Sequence, residues 1–275
     1  MTEVLLAVVA GAFIGLSLGA LGGGGSILAV PVLVALGQGP AQATTGSLVV
    51  VAVTSLAGAV TARRAGNVLL ARGLAFGLVA TGGAVAGARA SSAVPEPVLL
   101  AAFAVLMLVV GGLLAVRQWR ARHASPADRG TRRAVIDDPI ITFSPTFACQ
   151  CPRALKVLVT ATAVGLLTGF LGVGGGFVVV PALLLALSLP LDLAAGTSLV
   201  VITITSSVAL AARAGSSTAP DWSLVAALTV AAALAAVAGA HLADRVDTRR
   251  LSAAFTGLVL VVAAYTAATA LPALV

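Results

Sequence analysis

An apolar run too long to cross a membrane once occurs twice in this chain. Residues 4–37 are almost wholly apolar over about 34 positions. As one helix they would reach roughly 50 Å, against a hydrocarbon core of roughly 30 Å. Gly22, Gly23, Gly24 and Gly25 interrupt the run in LGGGGSILAVP (21–31), and LGVGGGFVVVP (171–181) interrupts a second run over 155–188. Gly22, Gly24, Gly25 and Pro31 recur as Gly172, Gly174, Gly175 and Pro181 at a constant offset of 150. Each glycine weakens a helix by roughly 1 kcal/mol, so each run reads as helix, break and half-helix. Pro31 and Pro181 fall inside the short pieces, and Pro31 deprives the Ile27 carbonyl of its helical donor. Paired breaks at matching places in two halves of a membrane protein point to a transporter's binding site.

The remaining spans follow the same plan. Apolar segments over 42–62, 73–90 and 98–116 complete a first half, and segments over 193–212, 223–243 and 251–271 complete a second. Pro190 answers Pro40 at the offset of 150, while VAGAH (237–241) answers VAGAR (85–89) at 152. Gly73, Gly77, Gly82, Gly83 and Gly87 predict close helix packing. With 60% hydrophobic residues and only 9% charged, the chain cannot cover a soluble surface. Strand-type alternation is absent, which excludes an outer-membrane barrel. The reading is an all-α integral membrane protein, a helical bundle of two internal repeats with broken, re-entrant helices. It divides into an N-terminal membrane repeat (1–116), a basic linker (117–153) and a C-terminal membrane repeat (154–275).

A net charge of +7 marks cytoplasmic loops here rather than a nucleic-acid partner. If each broken run dips in and returns to its own side, the basic residues separate cleanly. Arg63, Arg64, Arg72, the eight Lys and Arg from Arg117 to Lys156, and Arg245, Arg249 and Arg250 then share one face. Only Arg89 and Arg213 fall opposite. If instead each broken run crosses once, the sorting is 12 against 4, which is weaker. The first arrangement makes the halves inverted repeats, puts the linker in the cytoplasm and both termini outside. The opening MTEVLLAVVAGAFIG carries Glu3 and no early Lys or Arg, so the first segment is expected to be retained rather than cleaved. These features place the chain as a multi-pass protein of an inner or plasma membrane, in contact with the lipid bilayer.

Backbone that breaks at membrane depth must line a wet cavity or pack on protein. Half-helices starting near Ser26 and Phe177 would offer free N–H groups and a positive dipole end, and the glycines before them leave room for a small anion. The candidate site is therefore Gly22, Gly23, Gly24, Gly25, Ser26, Gly172, Gly174, Gly175 and Gly176, with hydroxyls from Thr44, Thr45, Ser47, Thr197 and Ser198. Arg63 and Arg64 would attract anions at the mouth. Apart from residues near helix ends, among them Arg213, no ionisable side chain lies in a predicted span, so a buried proton relay is unsupported. No Walker-type phosphate loop occurs, and nothing calls for a metal or another cofactor. Cys149 and Cys151, one residue apart in ACQCP, are poorly placed for a mutual disulfide. A surface pair of no special function is the default, and sulfur-handling thiols are the alternative.

LGGGGSILAVPVL with ATTGSLVVV, then FLGVGGGFVVVPALLLALSLPLDLAAGTSLVVI, resembles the TauE/SafE family of sulfite exporters, the anion permease-like TSUP group. TTGSL in the first half stands where GTSL stands in the second, a shift of one residue. The resemblance implies a secondary carrier rather than an enzyme, exporting small sulfur-containing anions such as sulfite or organosulfonates by alternating access. Its site would be the matching glycines, hydroxyls and prolines, near mid-membrane between the halves. A carrier or channel for another small anion, or a membrane protein using the Cys149 and Cys151 thiols, is the competing reading. The sequence leaves a homo-oligomer open.

Overall fold

The chain doubles back at each glycine break. In this computed structural model the described residues are 2–22, 24–95, 98–99, 101–106, 108–109, 112, 115–116, 151–172, 175–187, 189, 191–213, 219–242, 257 and 260–261. Helix α1 runs Thr2–Leu21, and Gly22 turns it at φ +64°. A 3-10 turn over Gly24–Leu28 leads into α2, Ala29–Ala35. Gly25 lies against the backbone of Ile14 and Leu18, so the chain past the break runs back along α1. In the second half α5 (Cys151–Leu171) ends at Gly172, φ +68°. After Gly175, φ +63°, α6 (Gly176–Ala186) begins, and Gly175 packs back on Thr168 and Val164. Left-handed φ brings a Cβ against the following carbonyl, which is why glycine holds these positions.

Pro31 is the third residue of α2, and Ile27 lies in the 3-10 turn before it. Having no N–H, Pro31 cannot donate to the Ile27 carbonyl. Helix α5 begins at Cys151, inside the segment read as the end of the linker. Cys149, the linker over 117–150 and most of the 251–271 segment lie outside the described residues, as do Gly23 and Gly174.

Four further helices complete the bundle: α3 (Pro40–Arg64), α4 (Leu70–Ser92), α7 (Leu191–Ala212) and α8 (Trp222–Leu242). Pro40 starts α3, where its fixed φ suits a first helical residue. Asp221 caps α8, accepting from the Ser223 hydroxyl at 2.7 Å and backbone N–H at 2.9 Å. These two bonds, the hydroxyl's first, hold its carboxyl below the usual range. Among the described residues, Pro40–Arg64, Leu70–Ser91, Leu193–Ala212 and Trp222–His241 are long and apolar enough to cross a membrane. No strand occurs among the described residues. The protein is an all-α membrane bundle.

Small residues decide how these helices meet. Gly11, Gly15 and Gly19 of α1 touch Leu228, Ala232 and Ala236 of α8, in the same order along both helices. Gly165 and Gly169 of α5 touch Ala80 and Ala84 of α4, again in the same order, and Gly83 and Gly87 return the contact on Thr162 and Leu166. Each close pair is therefore parallel and joins one half to the other. Helix α4 also runs parallel to α7, with Gly73 at Thr197 and Gly77 at Ile204. Helices α3 and α7 run opposite ways, with Ser55 beside Thr203 and Gly58 beside Leu199. Of the five glycines expected to pack closely in α4, only Gly82 meets nothing within 4 Å. Ile14, Ile27, Leu33, Leu183, Ile202 and Leu228 fill the interior. Leu5, Leu6, Val9, Val230 and Leu234 stay exposed, as suits side chains facing acyl tails.

Candidate functional site

The two breaks are gripped reciprocally. The Ser47 hydroxyl of α3 is shared between the Gly172 carbonyl and its own-helix Thr44 carbonyl at 2.8 Å, and the Ser198 hydroxyl of α7 is shared between the Gly22 carbonyl at 3.0 Å and its own-helix Ala195 carbonyl at 2.6 Å. Each serine thus holds the glycine break of the other half. No Cβ would fit at either glycine. At Gly172 it would lie 2.6 Å from the Thr44 carbonyl oxygen, and at Gly22 it would lie 2.5 Å from the Ala195 Cα. Thr44 and Ala195 occupy equivalent places, as do Ser47 and Ser198, so the structural offset in this stretch is 151 rather than 150.

The candidate residues gather into two clusters, one around each break. The first joins Gly172 and Gly175 with Thr44, Thr45 and Ser47. The second joins Gly22, Gly25 and Ser26 with Thr197 and Ser198. Ser26, Ser47, Thr197 and Ser198 have no exposed surface. Gly58 packs on Leu199, next to Ser198, and lies about three turns beyond Ser47 on α3. The clusters are therefore separated by roughly 16 Å along that helix. Thr44 and Thr45 both donate to the Ala41 carbonyl of their own helix, at 2.9 and 3.1 Å. Thr197 instead reaches outward, accepting the Leu69 N–H at 3.0 Å and pinning the loop before α4. Gly176 opens α6, and the Val178 and Val179 N–H groups turn back to the Gly175 carbonyl. The N–H groups before them have no intrahelical carbonyl to bond. Gly24 opens the 3-10 turn, and Pro181 is the sixth residue of α6. Arg63 and Arg64 are exposed in the last turn of α3, at the end of the molecule that carries the Gly22 cluster.

Sequence reasoning passed over three groups. Between the clusters, nearer the Gly22 one, Ser55 Oγ and Thr203 Oγ1 are 3.0 Å apart across the α3–α7 crossing. Thr54, Thr205 and Ser206 are also fully buried there, and Ser206 Oγ has no hydrogen-bond partner among the described residues. The doubled Thr-Ser at 54–55 and 205–206, again at offset 151, was the available signal. Gln38 and Gln42 stitch the start of α3 to the loop before α8 through the Asp221 and Ala219 carbonyls. Arg213, read from sequence only as a helix-end charge, folds into the Gly172 cluster. Its Nη1 donates to Thr44 Oγ1 at 3.0 Å, and its Nη2 donates to Ser91 Oγ at 2.7 Å and to the Gly169 carbonyl at 2.8 Å. Burial pulls its pKa down to about 10, which leaves it charged at neutral pH.

Four helices of membrane-crossing length, with two glycine turns each held by a serine of the opposite half, fit a polytopic membrane transporter. The family model for the sulfite exporter TauE/SafE matches residues 7–266. The chain belongs to that family. A "Probable membrane transporter protein" of Xylella fastidiosa (strain Temecula1 / ATCC 700964) is 32% identical over 202 residues, covering 73% of this chain and 70% of that protein. The "Probable membrane transporter protein YdhB" of Bacillus subtilis (strain 168) is 26% identical over 190 residues, covering 69% and 70%. YunE of the same organism, named in the same way, is 28% identical over 194 residues, covering 68% and 69%. No solved structure gives a significant match.

Proposed function

We propose that this transporter exports small sulfur-containing oxyanions, such as sulfite or an organosulfonate, by alternating access across an inner or plasma membrane. The reciprocal grip of Ser47 on Gly172 and Ser198 on Gly22 carries the reading. The two grips are equivalent contacts at opposite ends of the α3–α7 pair, so opening one while the other stays shut exposes the interior to one side at a time. The glycine turns are packed against protein in this state, so an anion would reach the helix-start N–H groups only when a grip opens, and the hydroxyls of Thr44, Thr45, Ser47, Thr197 and Ser198 can then rotate to donate to it. The buried hydroxyls of Ser55 and Ser206, and the half-buried one of Thr203, lie between the two clusters.

On this reading the halves are inverted repeats. Support comes from helix direction: α3 and α7, which hold equivalent sequence, run opposite ways, and each break folds its chain back along its own first helix. Arg63 and Arg64 mark the cytoplasmic end, so the 117–153 linker is cytoplasmic and the Gly172 cluster faces outward. A compartment-sensitive reporter fused after Val275 is expected to report the outside. A cytoplasmic signal would overturn the inverted arrangement.

The substrate is tested with the purified chain in liposomes loaded with sulfite, thiosulfate, sulfate or sulfoacetate, with and without ion gradients. Saturable flux of sulfite or sulfoacetate is expected. Flux of none of the four removes the sulfur-anion reading. Unchanged flux after Cys149→Ser and Cys151→Ser separates the carrier from thiol chemistry.

A further inference from the structure

We infer that Arg213, together with Thr44 and Ser91, is the charge-reading part of an oxyanion site at the Gly172 break. The inference rests on the anion-transport reading above and adds a residue to it.

Three helices place this guanidinium. It leaves the end of α7 and reaches Thr44 in the first turns of α3, Ser91 near the end of α4, and Gly169 and Phe170 at the end of α5. Gly172, the turn that Ser47 grips, is two residues past Phe170 and its Cβ position falls on Thr44. A guanidinium presents a planar fork of donors that matches two oxygens of an oxyanion at once. The way it is held makes it exchangeable. Thr44 Oγ1 keeps its proton on the Ala41 carbonyl at 2.9 Å, and Ser91 Oγ keeps its proton on the Ala88 carbonyl at 2.9 Å. Both hydroxyls only accept from Arg213, so an oxyanion taking over those N–H groups strands neither. Either hydroxyl can then rotate to donate to the same anion.

The repeat lacks this arrangement on the other side. With Ser47 matched to Ser198, the place of Arg213 is taken by Ala62, and the neighbouring Arg63 and Arg64 are exposed. At that end Ala195 stands where Thr44 does, and Thr197 is occupied by the Leu69 N–H. The cation is therefore not duplicated at the equivalent position of the first half.

The test is equilibrium binding of radiolabelled sulfite to the full chain in nanodiscs, with thermal melting of each variant with and without sulfite. Arg213→Gln is expected to weaken binding about 10- to 100-fold, the usual weight of a charge-assisted hydrogen bond. Arg213→Lys, which keeps the charge but not the fork, is expected to recover only part of that loss. Thr44→Val and Ser91→Ala, which spare the charge and are mild for the fold, are each expected to weaken binding by several-fold. A purely structural arginine predicts a lowered melting temperature with sulfite affinity and the sulfite-induced thermal shift unchanged, and that result overturns the assignment. Wild-type affinity in Thr44→Val and Ser91→Ala overturns it too, even where Arg213→Gln fails to fold. If the wild-type chain itself binds no sulfite, the sulfite reading falls and the Arg213 site falls with it.

Discussion

Gly175→Val is expected to abolish transport. Gly175 sits at φ +63°, directly before α6, and a Cβ there would overlap the Thr168 hydroxyl. A β-branched residue in that conformation costs roughly 1–3 kcal/mol in backbone strain alone. The steric conflict is additional, because Thr168 is fully buried and holds the Val164 carbonyl at 2.8 Å. The chain can relieve it only by opening the turn, which misaims the first N–H groups of α6 and loosens the Gly172 contact with Ser47. Gly175→Ala keeps the strain and lessens the bulk, and is expected to retain partial flux. The measurement is sulfite flux in liposomes, with monodispersity checked by size exclusion. Wild-type flux in Gly175→Val removes the second break from the transport site. Gly24→Val makes the same test at the first break, where Gly24 starts the 3-10 turn.

The glycine breaks were legible because helix propensity is a local property and several adjacent glycines leave no other reading. Helix limits were legible for a similar reason. The 42–62 and 193–212 spans became Pro40–Arg64 and Leu191–Ala212, each extension being two residues long and the added Arg63, Arg64 and Asp192 being charges that a hydropathy window excludes. What a repeat cannot reveal is which half each break packs against. Ser47 reads equally well as a partner for Gly22 in its own half or for Gly172 in the other, and only assembled helices decide. The one-residue shift between TTGSL and GTSL was visible, but its meaning was not until Ser47 and Ser198 made the same contact. Arg213 was overlooked for a different reason. An arginine that ends an apolar span ordinarily snorkels to the interface, and its enclosure depends on α3, α4 and α5 arriving from elsewhere in the chain. One clue was present: Arg213 and Arg89 were the two cations on the face with few positive charges.

Gly165→Leu is expected to disrupt assembly of the bundle more than any substitution at the breaks. Gly165 approaches the backbone of Ala80 so closely that even a methyl group would overlap its carbonyl, with the Ala80 carbonyl carbon 2.9 Å from that methyl position. A carbonyl inside a helix cannot rotate away, so α4 and α5 must part along their length. Parting them also opens the contacts of Gly83 and Gly87 on Thr162 and Leu166, and the van der Waals gain of close backbone approach is the main force holding such a pair in lipid. Overpacking at a single well-packed position costs about 1–3 kcal/mol, and a backbone obstacle belongs at or above the upper end. Gly15→Leu meets the same obstacle at Ala232 and is expected to act alike on α1 and α8. Gly82→Leu is the control, since nothing lies within 4 Å of that position. Fluorescence-detected size exclusion and thermal melting of the three variants read the result. Gly82→Leu should behave as wild type, while Gly165→Leu and Gly15→Leu should melt many degrees lower or fail to give a monodisperse peak. Equal melting of all three would mean that neither parallel pair packs backbone against backbone. The exchange of helices between halves, on which the reciprocal grip depends, would then be lost as well.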